Sequence, residues 1–459
     1  MRALVAAVPG TVAALALVVP AAIGHVAQWR YAEAVHAIER AGYRITENEY
    51  RRGWLDARAV LGVAPPAEPD PGQPTLRLTS RIEHGPRGGQ WHRWPPVLAA
   101  VHSRVRAVGG PRRLPPLRVE ALGLLGGDLD IDARLPDVAY SGAAGRLRLT
   151  QAWSRLKRNA REDLWQGQLH LGGLEAVDPQ GGRLALTGIA LRAHLRHPGA
   201  PVPRGTAELA LSGLSLGGSR AWPELDGGEV GLRLVLAGSP TRLAASADAS
   251  VGRLSVDGEN FAPSRAGLTL SDLDVPALES LRRGLTTLNT RRLPEAARGL
   301  AIAGLITDAV PSLLAAKPGV RVTELAMTTP SGVVAASGSL VFDGAPPPIT
   351  APPAVWLARL SGQGRVSAPQ AFVVQLLAGQ QRRRAREELR HLGQPADELP
   401  PRLVEEVDAA AQASLAALIR DGWLVAADGR LAATASLDGG VLTLNGKALR
   451  LAEWGLTGP

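Results

Sequence analysis

The stretch GRLALTGIALRAHL, from Gly182 to Leu195, alternates apolar and polar residues over most of its length. A period of two is typical of a β-strand that buries one face and exposes the other to water. Similar stretches, separated at hairpin-like intervals by Gly, Pro or Asp, predict one long and curved antiparallel meander. They include TLRLTSRIEHG (75–85), GDLDIDARL (127–135), GRLRLTQAW (145–153), LWQGQLHLGGL (164–174), AELALSGLSLGG (207–218), EVGLRLVLAGS (229–239) and GRLSVDG (252–258).

Helical stretches interrupt this pattern, so the predicted fold class is α+β and mainly β. WPPVLAAVHSRVRAV is predicted as a helix that starts just after Pro96. Two helix pairs follow later, at 274–289 with 294–316 and at 369–392 with 400–424, and hairpins are predicted at 319–344 and 431–449. Proline excludes the segment Ala64–Pro74 from a sheet interior and indicates an exposed insert. The predicted regions are 1–28 (anchor or signal), 29–275 (β-rich meander) and 276–459 (helix pairs and hairpins).

The N-terminal segment predicts the compartment. Ala3–Val26 contains no charged residue, and Arg2 is the sole charge before Arg30. As a helix, this segment is long enough to cross about 30 Å of hydrocarbon. A cleaved signal peptide is the alternative, with small residues near position 22 before the cut. We expect an uncleaved single-pass anchor in the inner membrane, with the body of the chain in the periplasm.

Composition narrows the classes of partner. The chain has 459 residues, a net charge of +9 and no cysteine, which excludes disulfides and thiolate chemistry. Its densest basic run, Gln381–Arg390, also holds Glu387 and Glu388 and is interpreted as the solvated face of a helix, with anionic lipid contact as the alternative. Arginines are scattered among acids along the chain, so nucleic acid is not an expected partner.

Three patterns resemble catalytic or metal sites, and each has a simpler interpretation. Gly213–Gly217 fits G-x-S-x-G, but alternating leucines surround it where a nucleophile turn needs a following helix. The alternating carboxylates at Asp128, Asp130 and Asp132 are interpreted as the wet face of a strand. His84 and His92 lack a local third ligand for zinc. We therefore expect no enzyme activity, cofactor or metal.

Four short motifs, in their order and spacing, resemble the YdgA-like family of bacterial envelope proteins, whose function is unknown. The motifs are YRRGW, IEHGP, VTELAMTTPSG and the long C-terminal run that ends in LNGKAL. The matching positions are Tyr50, Arg52, Gly53, Trp54, His84, Gly85, Pro86, Thr329, Pro330, Gly332, Asn445, Gly446 and Lys447. The resemblance implies an inner-membrane anchor and a periplasmic β-rich body, and it carries no catalytic residue.

We give these motif residues structural roles. Gly53 is predicted to permit a bulge or a close backbone approach, and Trp54 to fill the helix-covered face of the sheet. Gly85 and Pro86 are predicted to form a turn after His84. Asn445 and Gly446 are predicted to close the last hairpin.

The function expected from these patterns is that of a non-catalytic envelope scaffold or assembly factor, which binds other envelope proteins or copies of itself. The alternative is a lipid-binding protein with an apolar β-groove. A hydrolase is the third hypothesis, and no local motif favours it. A lipid carrier would show a contiguous apolar groove, whereas a scaffold would show a filled core and a large interface.

Overall fold

A computed structural model describes most of the chain: residues 24–29, 31–40, 42–64, 75–84, 97–108, 115–124, 126–142, 145–196, 202–218, 224–290, 294–348, 351–391 and 399–450. The protein is mainly β, with a 22-stranded antiparallel sheet, about 58% of residues in strands, and a few helices. The predicted mainly β class is therefore confirmed. Of the expected anchor at 1–28, the described residues begin at Gly24, so the membrane helix stays a prediction.

The chain divides into two compact units. Unit 1 comprises Met1–Ser212 with Thr286–Arg292, and unit 2 comprises Gly213–Leu285 with Leu293–Pro459. Strand β11 (Arg204–Gly217) contains the boundary at Ser212.

The strands of unit 1 pair mainly with their neighbours in sequence. Each of the first six pairs with the next, β6 pairs with β8, and the short β7 pairs with β8. β8 then pairs with β9, and β9 with β10. The strands are β1 (Arg44–Arg52), β2 (Asp56–Ala64), β3 (Thr75–His84), β4 (Val97–Val108), β5 (Leu117–Leu124), β6 (Leu129–Leu135), β7 (Val138–Gly142), β8 (Gly145–Asn159), β9 (Leu164–Val177) and β10 (Arg183–Arg196).

Unit 2 is a second antiparallel array. Its order of pairing is β12, β13, β15, β16, β17, β18, β20, β21 and β22, with β14 on β13 and β19 on β20. The strands are β12 (Leu225–Gly238), β13 (Arg242–Val256), β14 (Glu259–Asn260), β15 (Ser264–Asp274), β16 (Gly319–Thr329), β17 (Gly332–Phe342), β18 (Leu360–Pro369), β19 (Val425–Ala427), β20 (Arg430–Asp438), β21 (Val441–Leu444) and β22 (Lys447–Arg450).

In the sequence, the described helices come before β1, between β15 and β16, and between later strands of unit 2. They are residues 24–29, α1 (31–40), α2 (Val275–Thr290), α3 (Glu295–Ala315), α4 (Pro353–Leu357), α5 (Gln370–His391) and α6 (Pro401–Arg420). Helices α2, α3, α5 and α6 coincide with the two predicted helix pairs. The hairpins β16–β17 and β20–β21–β22 coincide with the two predicted hairpins.

The helix predicted after Pro96 is wrong, because Val97–Val108 forms strand β4 between β3 and β5. The apolar residues at 97, 101, 105 and 108 are spaced as on a helix, but all are β-branched valines, which favour strands. From Val101 onward the side chains also alternate between exposed and less exposed positions. The segment is too short for its period to separate the two structures, and strand pairing decides between them.

Helices contribute buried apolar residues at two places, and further buried residues lie on strands of both units, such as Val138 and Leu431. In unit 1, Val35 of α1 and Ala57, Ala59 and Leu61 of β2 are buried. The Tyr31 hydroxyl of α1 donates a hydrogen bond to Asn48 Oδ1 of β1 at 2.9 Å, which holds the helix on the sheet. In unit 2, helices α5 and α6 bury a cluster that consists of Ala378, Val407 and Ala411, with Leu377 packed against it.

The apolar alternation changes phase at one line across the strands of unit 1. In β8 the leucines lie at odd positions, 147 and 149, before Gln151, whereas the aliphatic residues Ala152 and Leu156 lie at even positions after it. Gln151 has a left-handed backbone, with φ of 53°. The same shift occurs at Gly172 in β9, Gly188 in β10 (φ of 62°) and Ser212 in β11. We name these four residues the crease.

The crease explains how a strand changes phase without turning its apolar residues to water. A left-handed residue re-aims the side chains that follow it, as in a β-bulge. A Cβ atom at Gly172 would contact the Gln151 side chain, and one at Gly188 would overlap the Ser212 side chain. Glycine at 172 and 188 therefore leaves room for the side chain on the neighbouring strand.

Candidate functional site

The YRRGW motif forms the first hairpin of the sheet. Gly53 lies in the turn between β1 and β2, where its N–H donates to Asp56 O at 2.7 Å. A Cβ atom at Gly53 would lie 2.9 Å from that carbonyl oxygen, so the close approach predicted for Gly53 is present. Trp54 is 56% exposed, so the prediction that it fills the helix-covered face is wrong. Its position in a turn, beyond the last paired residue of β1, removes it from the sheet face.

Tyr50, Arg52 and His84 lie at the same end of strands β1 to β3. The Tyr50 ring contacts that of Tyr31 with centroids 5.0 Å apart, and burial raises the pKa of the Tyr50 phenol. The Tyr50 hydroxyl is buried without a hydrogen-bond partner among the described residues, whereas Arg52 is exposed. His84 is the last residue of β3, opposite Ala99. Gly85 and Pro86 lie outside the described residues.

Pro330 and Gly332 belong to the turn between β16 and β17. The Thr329 hydroxyl is buried and donates to Gly332 O at 2.6 Å, which closes the turn. Gly332 has φ of 119°, and a Cβ atom there would lie 3.1 Å from Pro369 Cγ. These residues therefore have a structural role that a side chain at 332 would disturb.

Asn445, Gly446 and Lys447 tie the last hairpin to the end of α6. Asn445 and Gly446 have φ of 48° and 84°, as a type I′ turn requires, which confirms the predicted tight turn. Asn445 Oδ1 accepts from Thr434 N at 2.8 Å, and its amide donates to Trp423 O at 2.8 Å. The Lys447 ammonium donates to Asp421 O and lies 5.3 Å from the centroid of the Trp423 ring.

We expect Asn445→Asp to destabilise this hairpin by about 2 kcal/mol, because a carboxylate oxygen would replace the amide donor that faces Trp423 O and leave two acceptors in contact. Asn445→Gly keeps the left-handed turn and loses the side-chain hydrogen bonds, and we expect it to cost about 1 kcal/mol. The midpoint of urea unfolding, followed by Trp fluorescence, measures both. A larger loss for the glycine variant than for the aspartate variant would contradict this role.

Among the described residues, those of the patterns that resemble catalytic or metal sites lie on strands or directly beside them. Ser215 lies within β11, with no helix at the serine. Asp132 pairs across strands with Arg155 at 3.2 Å, and Asp128 accepts from Ala160 N at 2.8 Å. Among the described residues, no three His, Asp or Glu side chains are grouped as metal ligands would be. His92 lies outside the described residues.

The strand registers of unit 2 reveal an uninterrupted apolar face. Three adjacent cross-strand rows contain only aliphatic residues and glycine. At a strand spacing of about 4.8 Å, the longest row extends for about 40 Å. We name these rows the apolar face of unit 2: Leu236, Ala245, Leu270, Val320, Leu340, Gly362, Leu437, Leu442 and Leu449; Leu234, Ala247, Leu268, Val322, Gly338, Gly364, Ala435 and Leu444; and Leu232, Ala249, Ala266, Leu325, Ala336, Val366 and Ala433.

This apolar face is open to solvent over much of its length. Leu234, Leu268 and Leu325 are 41%, 40% and 41% exposed, and Val366 is 41% exposed. A cavity of about 390 Å³ opens on the same face between β13, β15 and β16. It is lined by Ala249, Ser250, Val251, Leu254, Val256, Phe261, Ser264, Arg265, Ala266, Leu325, Ala326 and Met327. Its volume lies within the range of about 300–1,000 Å³ that is typical of small-molecule sites.

The opposite face of unit 2 is polar in the same register. One row across its strands contains side chains with hydroxyl, amide or guanidinium groups: Ser246, Thr269, Arg321, Ser339, Gln363, Ser436 and Thr443. A wide concavity of about 620 Å³ lies over part of this row. The unit therefore has one face that water solvates well and one that it does not.

Unit 1 repeats this two-faced arrangement. One row is apolar across its strands: Ala57, Ile82, Val101, Ala121, Ile131, Leu156, Gly167 and Ala193. The adjacent row, on the other face, is polar throughout: Arg58, Arg81, His102, Glu120, Asp132, Arg155, Gln168 and Arg192. Ala57 and Ile82 are buried, whereas Leu169 and Leu191 are 44% and 38% exposed. These two leucines lie in the next row on the same face, which also contains Ser80, Ser103 and Ser154.

Comparison with known sequences places the chain in a family. It matches the family described as "Bacterial protein of unknown function (DUF945)" over residues 2–452. The chain belongs to the DUF945 family. No curated protein and no solved structure is detectably similar to it. For this DUF945 chain, the arrangement of residues on the two sheet faces is therefore the main guide to function.

The alternating strands of this DUF945 chain were predictable from its sequence, whereas the continuous rows of the apolar face were not. The motif residues that were singled out lie in turns and at strand ends, away from the three apolar rows. The composition of the strands did indicate an uncovered apolar face. Nearly every apolar position in the long strands is Leu, Val, Ala or Gly, and few aromatic side chains are present to fill the space above them. The register of pairing was needed to show that these positions form continuous rows.

Proposed function

We propose that the protein is a non-catalytic, membrane-anchored envelope protein that binds the acyl chains of lipids along the apolar faces of its sheet. The observation that carries this proposal is the set of three apolar rows in unit 2, in which six large side chains are 38–41% exposed. An exposed apolar surface of this extent is typical of a binding surface in a soluble unit.

The chemistry of the rows favours an acyl chain as ligand. They present methyl and methylene groups and no side-chain hydrogen-bonding group, so an aliphatic ligand leaves no polar atom unsatisfied. Each methylene that leaves water contributes about 0.8 kcal/mol. Gly338, Gly362 and Gly364 lie next to one another on β17 and β18, where a Cβ atom at 338 or 362 would overlap the neighbouring strand, so glycine permits the close pairing of these strands.

The proposal also includes where the protein lies in the cell and which group of the DUF945 family it belongs to. The apolar segment Ala3–Val26 supports an uncleaved anchor in the inner membrane, with the body in the periplasm, where the protein would meet lipids directly. The YdgA-like motifs support membership of that group within the DUF945 family. The absence of a catalytic role is likewise part of the proposal.

A scaffold that binds other envelope proteins, or a second copy of the chain, is the second candidate. It is favoured by large apolar side chains that are exposed away from the apolar rows. Leu376 of α5 is 59% exposed and Val425 of β19 is 53% exposed. Such positions fit a protein interface better than an acyl-chain groove.

Two neighbouring residues of β15 allow a matched test, because Leu268 belongs to the apolar face and Thr269 to the polar row. A photo-reactive amino acid is placed at either position in the full chain, and living cells are irradiated. We expect phospholipid adducts, identified by mass spectrometry of the purified chain, to be at least five times more abundant at position 268 than at 269. Native mass spectrometry of the unmodified protein provides the stoichiometry of bound lipid.

Two other results of the cross-linking experiment would overturn the lipid proposal. Protein adducts at 268 without lipid adducts would favour the scaffold and overturn the lipid proposal. Equal lipid adducts at both positions would show non-specific contact with the bilayer, and would also overturn it. Ala266→Glu, which places a charge on the apolar face, should lower bound lipid at least five-fold, whereas Thr269→Glu should not change it.

A further inference from the structure

We propose that the helical hairpin formed by α2 and α3 lies in the surface layer of an anionic phospholipid bilayer, as a membrane contact separate from the N-terminal segment. Among the described residues, α3 is the helix that is apolar and long enough to cross a membrane by length and composition. Its segment Ala297–Ala315 has 19 residues, a mean hydropathy of 1.3, and only 6% of its apolar stretch buried. Leu300 is 76% exposed and Ile306 is 48% exposed.

The exposed side of α3 is largely apolar, which is unfavourable in contact with water. A helix at a water-exposed surface has polar and charged residues on its outer side, whereas one that is apolar all round belongs in a core or a membrane. The exposed positions of α3 include Leu300, Ala303, Gly304 and Ile306, and Arg298 and Asp308 are its charges after Glu295. At a bilayer surface, the exposed apolar residues of such a helix lie among the acyl chains.

Strand pairing excludes a simple crossing by α3. Strand β15 precedes the hairpin and β16 follows it, and Ser271 pairs with Gly319 where the two ends meet. Both ends of the hairpin therefore lie on the same side of any membrane. A crossing would also require an apolar α2, but Glu279, Arg282 and Arg283 lie in the middle of that helix. The hairpin must enter and leave by one surface, which an interfacial position satisfies.

The charges of the hairpin favour anionic lipid. Residues 275–317 contain six basic and three acidic side chains, a net charge of +3. Arg282, Arg283 and Arg298 are exposed, and Arg291 and Arg292 follow α2 in the sequence. Basic side chains beside an apolar helix contact lipid phosphates while the apolar residues lie among the acyl chains.

Helices α2 and α3 approach each other closely at one point. A Cβ atom at Gly284 of α2 would overlap the methyl groups of Leu305 of α3. Gly284 therefore permits a close approach of the two helices. The α3 side chains that face away from this contact remain for the bilayer.

The cysteine-free chain allows a direct test. Leu300→Cys in the full chain is labelled with the environment-sensitive dye NBD and reconstituted into vesicles of phosphatidylethanolamine and phosphatidylglycerol. The matched control is Leu376→Cys, which is also an exposed leucine on a helix, at 59%. Quenching by spin-labelled lipid reports local contact with acyl chains, whatever else holds the protein on the vesicle.

We expect spin-labelled lipid to quench the dye at position 300 at least five times more strongly than the dye at 376. We also expect this quenching to fall at least three-fold in vesicles of phosphatidylcholine alone. No quenching at 300 would overturn the proposal. Shielding of the dye without lipid, rising with protein concentration, would overturn it in favour of a second copy of the chain. Equal quenching in both vesicles would overturn the requirement for anionic lipid. Acyl-chain binding at Leu268 is read separately by photo-cross-linking, so either proposal can fail alone.

Discussion

Gly205→Ala is expected to destabilise unit 1 by about 3 kcal/mol, because it combines backbone strain with an overlap between the new methyl group and the main chain. Gly205 is the second residue of β11 and has φ of 140°, a conformation that is almost confined to glycine. A Cβ atom there would overlap the carbonyl group of His194 at the end of β10. A carbonyl of a paired strand cannot move aside as a flexible side chain can. The shift in the midpoint of urea unfolding, followed by far-ultraviolet circular dichroism, measures the loss.

Gly126→Ala is the matched control for this substitution. Gly126 also has positive φ, of 110°, but a Cβ atom there would have no neighbour within 4 Å. We expect a cost of about 1 kcal/mol from the backbone conformation alone. The difference between the two variants isolates the overlap with His194. Equal losses would contradict the close approach of β10 and β11 at this point.

Leu415→Ala is expected to destabilise the α5–α6 helix pair by about 3 kcal/mol, through lost burial and the cavity that remains. Leu415 is 3% exposed on α6, on the same side of the helix as Ala411, which is fully buried. Ala411, one turn away on α6, is a small residue that cannot move to fill the space. The unfolding free energy from urea titration measures the effect.

Leu376→Ala provides the comparison on the facing helix α5. Leu376 is 59% exposed, so its truncation removes little buried surface, and we expect a change of less than about 0.5 kcal/mol. Loss of stability at 376 as large as at 415 would mean that Leu376 is covered in solution. That result would favour the scaffold interpretation of the exposed helix surface.

The sequence alone predicted the kinds of element better than their arrangement. Long strands with regular alternation, such as Thr75–His84, and helices longer than fifteen residues were identified because each repeats its period several times. The turn at Asn445–Gly446 was identified because this residue pair favours one turn type. Short segments do not repeat their period often enough to separate a helix from a strand, as the wrong prediction for β4 shows.

The arrangement was not predictable for two physical reasons. Whether apolar positions form continuous rows depends on register, which is fixed by turns and pairing between distant residues such as Leu268 and Val322. Whether a side chain is covered depends on tertiary packing, so Trp54 was assigned to the helix-covered face although it lies exposed in a turn. The exposure of α3 was likewise invisible, because an apolar helix in a long chain normally indicates a core.

The crease has a consequence for how such a protein can change over evolutionary time. Loss of one codon on either side of Gln151 would exchange the inner and outer side chains of that half of β8, so single-residue deletions are heavily penalised there. Gain or loss of a whole two-strand hairpin with its own crease residues leaves every remaining strand in phase. The unit that can be gained or lost is therefore the hairpin. Duplication or loss of hairpins can lengthen or shorten the apolar surface while the strands that remain keep their sequences.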